Sequence, residues 1–305
     1  MARARATTPG RGAGFTLIEL LVVISIVALL LAIALPAIGR ARQTGANTRE
    51  SAAIRQTGVA FAAYASDARG SVLPGFLPLE WVTPGFSVDQ IRVFSNDTAA
   101  APLEGSVARR YPWRLAPYLG YSQEALVVDR SLRSEFSKLP DSPMTRDGFQ
   151  WMFAQSPSFG MNTTWVGGDQ RRGGFHQPSI TRWGKFYVTK VDEPRFPDKL
   201  LVFATSRGYH PVETTRVIPG RHRIEGPWRA SREINQVPTW SEWDAPEGAF
   251  DRGREPSDYG HVDFRHFGRA AIVMFDGHVE SVVPDDLSDM RRWSNLADRA
   301  GWRPQ

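Results

Sequence analysis

Apolar residues run from Phe15 to Ile38 with only Thr16, Glu19, Ser25 and Pro36 interrupting them. A helix over those 24 residues is about 36 Å long at ~1.5 Å per residue, enough to cross a hydrocarbon core of about 30 Å. The pattern then changes. Ile54, Gly58, Phe61 and Ala65 recur at helical spacing and draw one apolar stripe, predicting an amphipathic helix to about Ser66. Arg49, Glu50, Arg55 and Gln56 are read as lying off that stripe. Pro36, with Gly39 and Gly45, predicts a kink or loosened stretch; the alternative is two helices joined by a linker over 36–47.

Beyond Asp67 the chain is rich in Pro and Gly, with short apolar bursts. Trp113–Leu119 reads as a short helix or turn, and Ser122–Lys138 as a helix capped by Ser122. The run Pro157-Ser158-Phe159-Gly160-Met161-Asn162 leads into a loop with paired glycines. Strand-like stretches are Gly184–Lys190, Leu200–Thr205, Ala270–Phe275 and His278–Val283. Asp276-Gly277 between the last two predicts a hairpin on a type I′ turn, which needs positive φ at both central residues. The segment 219–256 reads as a surface excursion that Trp228, Trp240 and Trp243 pin down. The fold class is therefore α+β: a long N-terminal helix packed on an antiparallel β-sheet head with loop insertions.

Composition narrows the chemistry. The chain has 305 residues and a net charge of +5; three of its arginines, Arg3, Arg5 and Arg11, precede the apolar run. The remainder carries +2, with no dense basic stripe of the kind nucleic-acid binding requires. Arg40, Arg42, Arg49 and Arg55 follow the apolar run, so the positive-inside rule gives no orientation. There is no cysteine, which removes disulfides, thiolate metal sites and a thiol nucleophile. Ten Trp and seventeen Phe supply core surface instead.

Glu19 is the odd residue in the apolar run. Carboxylates inside hydrocarbon are costly, rare and usually functional with a definite partner. A signal anchor with one tolerated acid is the plain reading, and an ordinary secretory cut among the small residues of 31–37 would discard Glu19 unused. The basic stretch ending in Gly14, followed by Phe15-Thr16-Leu17-Ile18-Glu19 and an apolar tail, resembles the class III signal of type IV pilins and type II secretion pseudopilins. That resemblance implies cleavage between Gly14 and Phe15 by a prepilin peptidase, N-methylation of Phe15, and a kink at Pro36. It also implies assembly through Glu19, which would pair with the new α-amino group of Phe15 on a neighbouring subunit. The organisation is then a leader over 1–14, a helix over 15–66 that spans the membrane over about 15–38, and a pilin-like head over 67–305. The expected partners are prepilin peptidase, other pilin or pseudopilin subunits and inner-membrane lipid, with the head in the periplasm and no enzymatic activity. The alternative is a membrane-anchored binding module whose Trp-rich head captures a polysaccharide or protein.

His266 and Asp276-Gly277 are separated by nine residues. This looks like the His-x9-Asp-Gly element of large pseudopilin-like families that share the N-terminal signal, and Ser158–Asn162 resembles a Tyr-Gly-Met-Asn-like stretch in them. His261, Asp263, His266, Asp276 and His278 are candidate divalent-metal ligands; otherwise Asp276-Gly277 makes the turn and His266 bonds nearby backbone. A bound calcium drawing on Asp169, Asp192 and Glu193 is a further candidate. No Ser in a nucleophile elbow accompanies the histidines, which leaves no catalytic residue to name.

Overall fold

The computed structural model describes residues 16–83, 91–94, 102–136, 138, 148–231, 239–242 and 249–304. The chain divides into two compact units, 1–46 and 47–305. The long helix α1, Leu17–Asp67, is unbroken in its secondary structure and runs through Pro36. Pro36 has no N–H to offer the carbonyl of Ala32, so one rung is missing, but no linker separates two helices. Along its first stretch the large apolar side chains from Leu17 to Ile38 are 47–79% exposed. A helix that is apolar all round and bare belongs in lipid or against other helices.

From Asn47 onward the helix belongs to the head unit. Its buried residues are Glu50, Ala53, Ile54, Thr57, Gly58, Ala60, Phe61 and Ala65: the predicted stripe of Ile54, Gly58, Phe61 and Ala65, widened by Ala53, Thr57 and Ala60 and extended by Glu50. Glu50 was expected off the stripe and is on it. It lies four residues before Ile54, one helical turn along the same face.

The strands are β1 Phe159–Met161, β2 Leu201–Thr205, β3 Arg207–Tyr209, β4 Val217–Pro219, β5 Trp228–Ser231, β6 Thr239–Glu242, β7 Ala270–Met274 and β8 Val279–Val282. One antiparallel sheet has the order β1-β2-β7-β8; β3-β4 and β5-β6 form separate ribbons. Both β2 and β7 are buried along their whole length. On β7, Ala271 and Val273 join the core that includes Ile54 and Phe61, while Ala270, Ile272 and Met274 join a second core with Trp293. That is the period-2 alternation of a strand covered on both faces. On β2 the alternation slips: Val202 and Phe203 both face the first core, between Leu201 and Ala204 in the second. The register shift between Leu201 and Phe203 is the β-bulge that causes it.

Gly58 sets the approach of helix to sheet. A Cβ there would lie 2.7 Å from Val273 Cγ2, so only glycine admits β7 at this separation. Beside it, Phe61 meets Phe203 and Phe275 edge-on, at 5.9 and 5.6 Å between ring centres.

Several local expectations change. The 122–138 helix is two short ones, Gln123–Leu126 and Arg130–Phe136. Asp129 starts the second by accepting from the Ser131 and Leu132 N–H groups at 2.8 and 3.2 Å. Ser122 makes no side-chain cap. Gly184–Lys190 is not a strand; Val188 and Lys190 make isolated bridges to Val166 and Ser71. Phe159–Met161, expected to enter a loop, is the edge strand β1 instead. Here Tyr111 donates its hydroxyl proton to the Phe159 carbonyl. Asn162 then donates to the carbonyls of Leu201 at 3.0 Å and Trp293 at 2.9 Å, tying the strand end to both its neighbour and the C-terminal segment.

Candidate functional site

Two sites involve α1, one in each unit. At the helix start, Thr16 precedes the first helical residue and its Oγ1 accepts from the Glu19 N–H at 3.2 Å. In return Glu19 Oε2 accepts from the Thr16 N–H and from the Thr16 hydroxyl, both at 2.8 Å. This reciprocal arrangement is a capping box, satisfying N–H groups that a helix start would leave bare. The Thr-x-x-Glu spacing signalled it in the sequence, although Glu19 was there read only as an assembly residue. Both bonds fall on Oε2, and among the described residues no cation lies within ion-pair distance of Glu19. Oε1 is left open.

Residues 11–35 match the prokaryotic N-terminal methylation motif. The chain carries a type IV pilin-like prepilin signal. No curated protein and no solved structure matches it. The signal makes the chain a prepilin-type substrate, which implies processing by a prepilin peptidase and association with pilin subunits, and α1 is long and apolar enough to anchor it in a membrane. The basic leader with Arg3, Arg5 and Arg11, and the Gly14–Phe15 bond, lie outside the described residues.

The second site lies in the head. Glu50 is 2% exposed, and its carboxylate stands 3.2 Å from Arg265 Nη2 and 2.6 Å from His266 Nε2. Burial alone would raise the Glu50 pKa; Arg265 and the His266 hydrogen bond outweigh it and hold the carboxyl below its usual range. Arg265 is equally engaged, with Asp263 3.2 Å from its Nε and the Ser206 carbonyl 3.1 Å from its Nη2. Burial would lower its pKa, and Glu50, Asp263 and Asp129 together raise it. His266 thus fastens the helix to the head rather than bonding only nearby backbone.

The nine-residue spacing now has a geometric meaning: it is one strand with a turn at each end. His266 opens a turn to Arg269, whose N–H donates to the His266 carbonyl at 3.0 Å, with φ of +55° at Phe267 and +71° at Gly268. Positive φ at both central residues is the type I′ signature expected further on. At the other end of β7, Gly277 has φ of +91° but Asp276 is not left-handed. The Gly277 N–H donates to the Met274 carbonyl at 2.9 Å and the Met274 N–H to the His278 carbonyl at 2.9 Å. This is a three-residue loop closed by a left-handed glycine, correcting the two-residue type I′ expectation. Asp276 steadies it by accepting from the His278 N–H at 3.1 Å and pairing with His278 Nδ1 at 2.6 Å. His266 and Asp276 are therefore held apart by a five-residue strand, about 17 Å at ~3.4 Å per residue.

Of the five candidate metal ligands the fold brings together Asp276 and His278, and holds the other three on separate partners or in separate surroundings. Asp263 pairs with Arg265, His266 with Glu50, and His278 with Asp276 and Glu280. His261, 6% exposed with φ of +65°, is pushed well below its usual pKa by burial and by Arg221. The calcium candidates also separate. Asp169 is buried and accepts from Thr163 Oγ1 at 2.7 Å and the Arg171 N–H at 2.8 Å, while Glu193 pairs with Lys185 at 2.5 Å. Among the described residues the group of metal-type donors within mutual reach is Glu135, His210 and Glu213, which the sequence reading missed. Arg216 already pairs with both glutamates. His210 Nδ1 accepts from the Glu213 N–H at 2.9 Å, placing the ring proton on Nε2, 3.2 Å from Glu135. An arginine and a histidine proton occupy that arrangement without a metal.

Trp165, Trp183, Trp240 and Trp302 pack on one another. Trp165, fully buried, stacks on Trp240 at 4.9 Å, and Trp183 and Trp302 close around the pair to leave a cleft of about 220 Å³. Trp240 does pin the excursion down; Trp243 lies outside the described residues.

Proposed function

We propose that the chain is a pilin-like structural subunit, processed after Gly14 and packed through α1 into a type IV pilus or a type II secretion pseudopilus, with its head in the periplasm and no catalytic role. The observation that carries this reading is Glu19: a carboxylate at the start of a bare apolar helix, half engaged by its own cap and, among the described residues, without a cation. Cleavage would free an α-amino group on Phe15, one residue before the cap. The Phe15 amine of a neighbouring subunit would then meet Glu19 Oε1 while Oε2 keeps its bonds to Thr16. In hydrocarbon such a pair is far stronger than at a surface, and a stagger that misses it strands a charge, so it would set axial register. The apolar side chains from Leu17 to Ile38 would supply lateral packing.

Mass spectrometry of the membrane-extracted protein tests the processing step: an N-methylated Phe15 at the mature terminus is expected, and a start beyond Ala34 would mean ordinary secretion. Because the chain has no cysteine, a single one introduced at Val22 reports on neighbours. Disulfide-linked dimers in membranes are expected, whereas monomers alone would favour the anchored binding module.

A further inference from the structure

A cleft of about 320 Å³ on the head is lined in part by Arg110, Arg171, Arg221, Arg223, Gln155 and His222. Its charge is unbalanced. Among the described residues the carboxylates that pair with its arginines are Asp169 and Glu225, both almost fully buried, while Glu135 stands by His210 on the lining and is already paired with Arg216. Glu225 is shared by Arg172, Arg223 and Arg229. Asp169 already accepts from Thr163 and the Arg171 backbone, and stands 3.7 Å from Arg223. Among the described residues, Arg110, Arg171 and Arg221 have no carboxylate within ion-pair distance.

Those arginines are also short of hydrogen bonds. Arg110, 2% exposed, spends an N–H on the Ser106 carbonyl, and among the described residues its buried Nε has no hydrogen-bond partner. Arg221 Nε is likewise buried and, among the described residues, has no hydrogen-bond partner. Burial and neighbouring arginines push the pKa of Arg110 and of Arg221 down to about 9. His222, buried among them, is held well below its usual value and stays neutral, adding no charge to repel them. Underneath, the Phe76 ring lies 4.4 Å from the Arg171 guanidinium carbon and 5.4 Å from that of Arg110. The ring holds the planar groups in place without neutralising them. Buried cations collected this way and left unsatisfied are unfavourable unless an anion completes them.

We infer that this cleft binds a tetrahedral oxyanion, sulfate or phosphate, either free or as an ester group, with Arg110, Arg221 and Arg223 donating from the wall and Arg171 from the rim. The guanidinium fork matches oxygens of such anions in pairs, and a divalent anion meets several cations better than a single carboxylate. The inference is independent of how the helix assembles.

The test is thermal unfolding and calorimetry of the full chain in detergent micelles, titrated at constant ionic strength with sodium sulfate, sodium phosphate, sodium acetate or sodium chloride. Sulfate or phosphate is expected to raise the unfolding temperature saturably, with acetate and chloride much weaker. Arg221→Gln and Arg171→Gln should each weaken binding by about tenfold or more. Arg171 is an exposed residue, so that variant keeps the test decisive if Arg221→Gln fails to fold. A sulfated monosaccharide forms the second arm: tighter binding than sulfate identifies an ester ligand, and equal binding a free anion. Sulfate and phosphate no better than chloride, or affinity unchanged in Arg171→Gln, overturns the inference.

Discussion

Glu19 and Glu50 are the same side chain on the same helix, and their surroundings differ in kind. Glu50 is buried and its charge is met by Arg265 and His266. Glu19 is exposed, has one oxygen committed to Thr16 and, among the described residues, has no cation. The difference separates folding from assembly. One acid is completed by its own chain and fastens the helix to the head, while the other meets no cation among the described residues and, on the proposed reading, is left for the Phe15 amine of a neighbouring subunit. The apolar faces follow suit: the stripe around Ile54 and Phe61 is covered by the sheet, whereas Leu17 to Ile38 is bare.

Changes at the two glutamates should fall on different measurements. Glu19→Ala should lower incorporation into oligomers by about tenfold or more while leaving membrane insertion and head stability unchanged, read by crosslinking, membrane fractionation and thermal unfolding. Glu50→Ala should do the reverse, destabilising the head by about 3–5 kcal/mol because Arg265 is left buried with its main partner gone. Acid should act on the same link. The folded-state pKa of Glu50 lies below its ordinary 4.5, so its contribution is present above that value and is lost as pH falls through the folded pKa. The unfolding temperature should drop below about pH 4.5, more shallowly in Glu50→Gln than in the parent.

Gly58→Ala should cost about 1–3 kcal/mol, since the new methyl meets Val273 Cγ2, and Val273→Ala in the same chain should recover part of it. The smallest effect is expected at the exposed turn. Phe267 sits at φ of +55° without a glycine's freedom, and Phe267→Gly should stabilise by up to about 1 kcal/mol. Loss of stability there would show that the Phe267 ring is engaged.

The sequence made both stretches of the helix legible, the first from its unbroken apolar run and the second from its helical stripe. It hid the link from the helix to the head. A hydrophobicity pattern has no slot for a buried acid, and the residues that justify Glu50 lie more than two hundred positions away. Gly184–Lys190 had a strand's composition but found no partner beyond two bridges, while Phe159–Met161, too short to show alternation, found β2. At the hairpin, Asp-Gly marked a turn correctly and its type wrongly. The strand between His266 and Asp276 was legible, but the partner of His266, Glu50 on the helix, was not.

The most direct test replaces Glu19 by glutamine. Glutamine can still cap Thr16, so the helix start survives and only the charge is removed. Crosslinking through a cysteine at Val22, with insertion measured in parallel, should show that dimers no longer form while insertion is intact. Full crosslinking in Glu19→Gln would mean that the carboxylate serves its own helix cap alone.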